Sequence, residues 1–322
     1  MELWTLKSKT LVGRSEGPHL LITGGVHGDE WEPMAAARRL LAEIDPGQVR
    51  GKITIVPVVN EPAFLRGQRT ADDGLDLART CPGRDDGTAT ERIAAALTRL
   101  IRTADFYIDL HTAGTVFQML PLAGYVLHQD PNVLATQRTM ARAFGLPIVW
   151  GTNGRLDGRS LSVARDAGVP AIYVENGGGG TCDPRRVEEN VRGCLNVARA
   201  LGLLPNVQAE EAGEASIAEL EEYEPRYFVE DDRDASGHLQ VQSQAPMAGY
   251  FDSSVELGDM VERGQTIGRI VNPLGDEVVE IPAYDTGTVL LLRTYPSVRV
   301  GDPLVVILPI SEPGSATFAR ET

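Results

Sequence analysis

Residues 19–30 read H-L-L-I-T-G-G-V-H-G-D-E, and this stretch decides both the fold and the chemistry. Its first half is a nearly continuous apolar run ending in small and polar residues, the pattern of a strand covered on both faces in an α/β sheet. Its second half carries His27 and Glu30, an imidazole and a carboxylate three positions apart. Such a pair can grip one metal ion. Zinc in hydrolases is commonly held by two histidines and one carboxylate, with a fourth position left open. The chain has five histidines, His19, His27, His111, His128 and His238, so the missing ligand is sought among four.

Working outward, three more runs repeat the pattern. F-Y-I-D-L at 106–110 ends in His111, A-I-Y-V at 171–174 ends in Glu175 before N-G-G-G-G, and K-I-T-I-V-P-V-V-N delivers Asn60. In open α/β sheets ligands sit outside the carboxyl ends of the strands, so these ends can face one site. The expected metal set is His27, Glu30 and His111, holding one Zn2+ per chain, with Glu175 as the base that handles the water proton. Asp109 precedes His111 by two residues, so both side chains leave the same face of a strand. It is the candidate to orient a ligand imidazole through the ring's other N–H. Taken singly each residue supports little, because a lone histidine is more often a satisfied core residue and a carboxylate after an apolar run is usually solvated. Their convergence on comparable strand ends carries the reading.

Composition narrows the classes. At 322 residues and 42% hydrophobic content, the chain suits two domains with a packed core. No apolar run approaches the ~18 residues of a membrane span, and the opening M-E-L-W-T-L-K-S-K-T lacks an apolar signal core, so a cytoplasmic location is expected. The three cysteines, Cys81, Cys182 and Cys194, form no C-x-x-C pair and read as reduced thiols. A net charge of −15 repels phosphate backbones. Nucleic acid and membrane are therefore disfavoured as partners, a small molecule is favoured, and homo-oligomerisation stays open.

Strands alternate with helical patterns over residues 1–205, which argues for an α/β layered domain. Helices are expected after Trp31, from Thr90 to Arg102 with Thr88 or Thr90 as cap, over 131–144, at S-L-S-V-A-R-D-A, and from Pro184 to Leu203. Residues 61–88 read as a long functional loop. Residues 206–237 are acidic and read as a linker. Residues 238–312 form a β-rich domain in which P-M-A-G-Y-F with V-E-L-G-D-M-V-E-R-G echoes P-A-Y-D-T-G-T-V with V-R-V-G-D-P-L. Residues 313–322 are a tail. The paired halves resemble the barrel-sandwich fold of biotinyl and lipoyl carriers, but lysine occurs only at positions 7, 9 and 52, which excludes covalent cofactor attachment there.

Arg66, Arg69, Arg79 and Arg84 crowd the 61–88 loop. They could bind a substrate carboxylate or a tetrahedral oxyanion, or pair locally with Asp72, Asp73, Asp76, Asp85 and Asp86. Arg155, Arg159 and Arg165 precede Glu175, and Arg159 is the preferred further anion contact.

G-V-H-G-D-E, the D-L-H strand end and E-N-G-G-G-G together resemble the succinylglutamate desuccinylase/aspartoacylase family, a branch of the zinc carboxypeptidase-like hydrolases, over roughly residues 15–200. The resemblance implies a carboxypeptidase-like mixed sheet flanked by helices, a small C-terminal β domain, and a zinc-dependent amidohydrolase acting on a small, anionic N-acyl amino acid. It implies that His27, Glu30 and His111 bind zinc and that Glu175 is the general base. N-E-P-A-F-L-R-G-Q-R makes Arg69 the carbonyl or oxyanion stabiliser and Asn60 part of the substrate site. D-L-A-R-T-C-P-G gives Arg79 to the substrate carboxylate. Ala78 and Cys81 depart from the family's asparagine and phenylalanine, which removes an amide donor beside Arg79. A carboxypeptidase-like peptidase and a non-catalytic binding protein are the alternatives. A serine hydrolase is disfavoured for want of a nucleophile elbow.

Overall fold

In the computed structural model the described residues are 3–205, 224–234, 236–237 and 243–309. The first strands are β1 (Lys9–Val12), β2 (Ser15–Thr23) and β3 (Arg50–Val56), with helix α1 (Trp31–Glu43) between the last two. Then follow α2 (Glu61–Arg66), α3 (Ala89–Ile101), β4 (Phe106–His111), β5 (Phe117–Val126), α4 (Pro131–Phe144), β6 (Ile148–Thr152), α5 (Ser160–Ala167), β7 (Ala171–Gly178), α6 (Pro184–Ala200) and β8 (Tyr227–Asp231). The remaining strands are β9 (Gly249–Ser253), β10 (Met260–Val261), β11 (Thr266–Val271), β12 (Val278–Pro282), β13 (Gly287–Arg293), β14 (Ser297–Val298) and β15 (Val305–Leu308).

Strands β2, β3, β4 and β7 run parallel in the order β3-β2-β4-β7, and β5 joins β7 antiparallel, so the central sheet is mixed. The central strands are apolar almost throughout because helices cover both faces. On one face α1, α4 and α6 bury Leu40, Met140, Phe144 and Val197 against Leu20, Ile22 and Ile108. On the other, Ile93, Leu97 and Ile101 of α3 recur every four residues and meet Leu21 and Tyr107. The C-terminal region is antiparallel β. Strands β9, β11, β12 and β14 form a separate four-stranded sheet, whereas β10, β13 and β15 extend the central one through β13 and β5. A core of Phe251, Ile267, Ile270, Val289 and Ile307 draws residues from both sheets.

Three details differ from the sequence reading. Of the first strand expected over residues 1–12, the described residues 3–12 form strand only at Lys9–Val12. The 61–88 segment holds α2 and a 3-10 turn at Leu77–Arg79, elements too short for a helical period to show. The acidic stretch read as a linker contains β8, which pairs parallel with β6 at a sheet edge. Its Tyr227 and Val229 alternate inward and are buried, a two-residue period that the flanking charges mask. Residues 206–223, His238 and the tail lie outside the described residues.

Candidate metal centre and active site

The loop after β2 carries the first two candidate ligands into the interior. Gly28 is required there: a Cβ would stand 2.0 Å from the Ala63 carbonyl carbon, so the loop lies directly on the backbone of α2. That contact buries His27 and leaves Glu30, which immediately precedes α1, almost wholly inaccessible. His111 ends β4, and its register partner across the parallel ladder is Glu175 of β7.

These strand ends meet. Suitable donor atoms of His27, Glu30 and His111 all lie within 4.8 Å of one another, and the three side chains are buried. His27 Nδ1 is 2.6 Å from Glu30 Oε1, and His111 Nδ1 is 3.1 Å from Glu30 Oε2. The far nitrogens also face carboxylates, His27 Nε2 at 3.1 Å from Asp76 Oδ1 and His111 Nε2 at 3.2 Å from Asp109 Oδ2. A neutral imidazole has one N–H, so it can satisfy only one of two flanking acceptors. If Asp76 and Asp109 take those protons, two ring lone pairs and a carboxylate converge on one point. That arrangement suits a cation, and a nitrogen–oxygen donor set of this kind fits zinc.

The charges are strongly coupled. Burial pushes Glu30 upward, but His27 and His111 overcome it and hold this carboxyl well below the usual range. Burial likewise opposes charge on His111, yet Asp109 and Glu30 raise it well above the ordinary histidine value. Asp109 is held low against its burial by His111 and by the hydroxyls of Ser160 and Thr23, both of which donate to it. Asp76 is held low, against desolvation, by His27 and Arg69. Glu175 behaves oppositely. Desolvation dominates, Glu30 adds repulsion, and its carboxyl is pushed up to about 7.

One small cleft, with a volume of about 120 Å3, contains the triad, Glu175, Asp109, Arg69, Arg79 and Arg159. Arg69 grips Asp76 Oδ2 through Nε and Nη2, at 3.2 and 2.9 Å, and stands 3.9 Å from Glu30. Arg79 donates to the Ala78 carbonyl and Arg159 to that of Gly237, at 2.7 and 3.1 Å. Among the described residues neither has a carboxylate partner. Burial lowers both guanidinium groups, and Arg79 lowers Arg159 further. Asn60 is not part of the cleft lining; its side-chain oxygen accepts from Ala63 N at 3.2 Å and caps α2.

Asp76 was not singled out by the sequence reading, although it opens D-L-A-R-T-C-P-G; its link to His27 spans 49 positions. The C-terminal region, for which the sequence suggests a structural or site-flanking role, reaches the site: Leu291 of β13 lines the cleft. The other described histidines are accounted for. His19 is bound by Thr103 O and Thr54 Oγ1, and His128 by Arg165 O and Asp130 N. A G-x-S-x-G run does occur at 13–17, but its Ser15 is exposed at the start of β2 rather than on a strand-to-helix turn, so it is no nucleophile elbow.

With this geometry in hand, comparison with known proteins defines the class. The model of the succinylglutamate desuccinylase/aspartoacylase catalytic domain matches residues 16–201. The N-alpha-acetyl-L-2,4-diaminobutyric acid deacetylase of Halomonas elongata is 34% identical over 310 residues, covering 94% of this chain and 85% of the relative. Among solved structures, a succinylglutamate desuccinylase from Silicibacter sp. TM1040 superposes with a TM-score of 0.81 at 27% identity, covering 93% of this chain and 87% of the other. The product-bound ectoine utilization protein EutE (DoeB) of Ruegeria pomeroyi gives 0.80 at 28% identity, with the same coverage of 93% and 87%. The chain belongs to the succinylglutamate desuccinylase/aspartoacylase family, whose members matched here are deacylases. No helix among the described residues is long and apolar enough to cross a membrane.

Proposed function

We propose that this protein is a zinc-dependent amidohydrolase that removes the acyl group from a small N-acyl amino acid. The observation that carries the reading is the buried His27–Glu30–His111 donor set with Glu175 on the adjacent strand end. Zinc held by those three residues would supply Lewis acidity towards a substrate carbonyl and towards water. Glu175 takes the proton of the attacking water on its carboxylate as the new C–O bond forms, then returns it to the departing nitrogen as the amide C–N bond breaks, releasing the acid and the amine. Arg69 offers charge to the carbonyl oxygen. Arg79 and Arg159, which line the cleft without carboxylate partners among the described residues, are free to receive an anionic group of the substrate. Asp76 and Asp109 fix the orientation of the two imidazoles.

The relatives support an N-acetylated α-amino acid such as Nα-acetyl-2,4-diaminobutyrate as the first substrate to test. The purified chain is expected to hydrolyse one or more N-acetyl or N-succinyl amino acids, to contain one zinc ion per chain, to lose turnover on chelation and to regain it with added zinc. Undiminished turnover after complete metal removal, or release of C-terminal residues from peptides in place of acyl groups, overturns the proposal.

A further inference from the structure

One polar group in the cleft has no task in the chemistry above, the hydroxyl of Tyr173. Tyr173 lines the cleft and precedes Glu175 by two residues on β7, so the two side chains leave the same face. Its ladder partners are Asp109 on β4 and Gly124 on β5. Gly124 is what makes room for it. A Cβ at that position would stand 2.2 Å from Tyr173 Cζ and 2.5 Å from its hydroxyl oxygen. A glycine inside a strand is destabilising and often marks close approach of another group, here a tyrosine ring lying over bare backbone.

The Tyr173 side chain is half-buried and lines the cleft, so a group bound there can meet its hydroxyl. Among the described residues none hydrogen-bonds the Tyr173 hydroxyl. Arg159 lies close enough to act on it electrostatically, and desolvation keeps the phenol protonated, a donor at neutral pH. Arg159 and Arg79 each spend a donor on a backbone carbonyl and meet no carboxylate among the described residues. This part of the cleft therefore gathers N–H and O–H donors.

We propose that Tyr173 is a specificity-determining residue that donates its phenolic O–H to the carboxylate of the substrate, beside Arg79 and Arg159, with Gly124 holding open the space for its ring. The inference rests on the deacylase reading above and deepens it, naming an α-carboxylate as the feature recognised. Same-face neighbours on a strand are separated by roughly 6.6 Å. In an N-acyl α-amino acid only the nitrogen and Cα stand between the amide carbon and the carboxylate, on the order of 4 Å by covalent geometry. A carboxylate received at Tyr173 thus leaves the amide carbon within reach of Glu175.

The test is Tyr173→Phe, which removes one oxygen and keeps the ring. KM for an N-acetyl α-amino acid is expected to rise about tenfold, the ratio expected of one hydrogen bond to a charged group, with a much smaller change in kcat. Calorimetric binding of the free amino acid product, which needs no turnover, should weaken by the same factor. The α-carboxamide counterpart, a neutral and weaker acceptor, should lose less affinity in the variant than the carboxylate does. Gly124→Ala, with folding checked by circular dichroism, should move KM in the same direction by displacing the ring. An unchanged KM and product affinity in Tyr173→Phe overturns the assignment, as does an equal loss for the carboxamide. Absence of hydrolysis in the wild type instead overturns the deacylase reading, and product calorimetry still judges Tyr173.

Discussion

His111 and Glu175 face each other across the β4–β7 ladder as direct register partners. The same ladder pairs Asp109 with Tyr173 one same-face step earlier, and the β2–β4 ladder pairs Thr23 with Asp109. Much of the site is therefore positioned by sheet register rather than by loop packing. A slip of one residue would turn these side chains to the opposite face, so the fold specifies their alignment as firmly as it specifies the core.

That alignment makes Glu175→Gln a sharp test of the base. The substitution keeps shape and removes proton transfer, so kcat should fall by about 10²–10⁴ while zinc content and melting temperature stay near wild type. Wild-type turnover in this variant would remove Glu175 from the mechanism.

Asp76 reaches His27 from the 61–88 segment and is itself held by Arg69. Its replacement by Ala removes the carboxylate that orients the His27 ring. Zinc affinity, measured by competition with a chromogenic chelator, should drop roughly 10- to 100-fold. An unchanged affinity would mean that the Asp76–His27 contact does not support the ligand.

Glu230 of β8 yields a pH prediction. Burial pushes its carboxyl up, but hydrogen bonds from Arg138 and Tyr125 prevail and hold it below its ordinary value. Arg138 binds it through two nitrogens, at 2.8 and 2.7 Å. A group whose pKa is depressed by folding contributes stability above its unfolded pKa, about 4.3, and loses that contribution as pH falls through the folded value. Glu230→Gln should therefore lower stability at pH 7, on the order of 1 kcal/mol given the partial exposure of the pair. The gap between variant and wild type should close in acid. Denaturant melts across pH 3–7 measure this, and a gap that widens towards low pH contradicts it.

Thr88 caps α3 in a reciprocal capping box with Glu91. Thr88→Ala should cost about 1 kcal/mol in urea denaturation. Thr90→Ala acts elsewhere, because Thr90 ties α3 to Asp73 through its N–H and hydroxyl. Equal stability of Thr88→Ala and wild type would remove the cap from the account.

Local chemistry made much of this protein legible before any coordinates. Apolar runs ending in His27, His111 and Glu175 signalled strand ends, because a strand covered on both faces excludes polar residues until it leaves the sheet. Helical periods gave α1, α3, α4, α5 and α6, and the shift to β-branched residues among Gly and Pro turns gave the C-terminal β region. Both signals are written within a few residues of one another, so a window along the chain contains them whole.

Tertiary structure alone decided the rest. It chose between Thr88 and Thr90, turned Asn60 into a helix cap, drew Asp76 to His27, brought Leu291 into the cleft and set Gly124 beneath Tyr173. Most of these outcomes join residues far apart in the chain, and Thr90, the other cap candidate, is held by Asp73, seventeen positions away. A sequence states which groups are available at such positions. Which of them meet depends on strand order, register and the packing of loops on helices, and those follow from burial and backbone hydrogen bonding summed over the whole molecule.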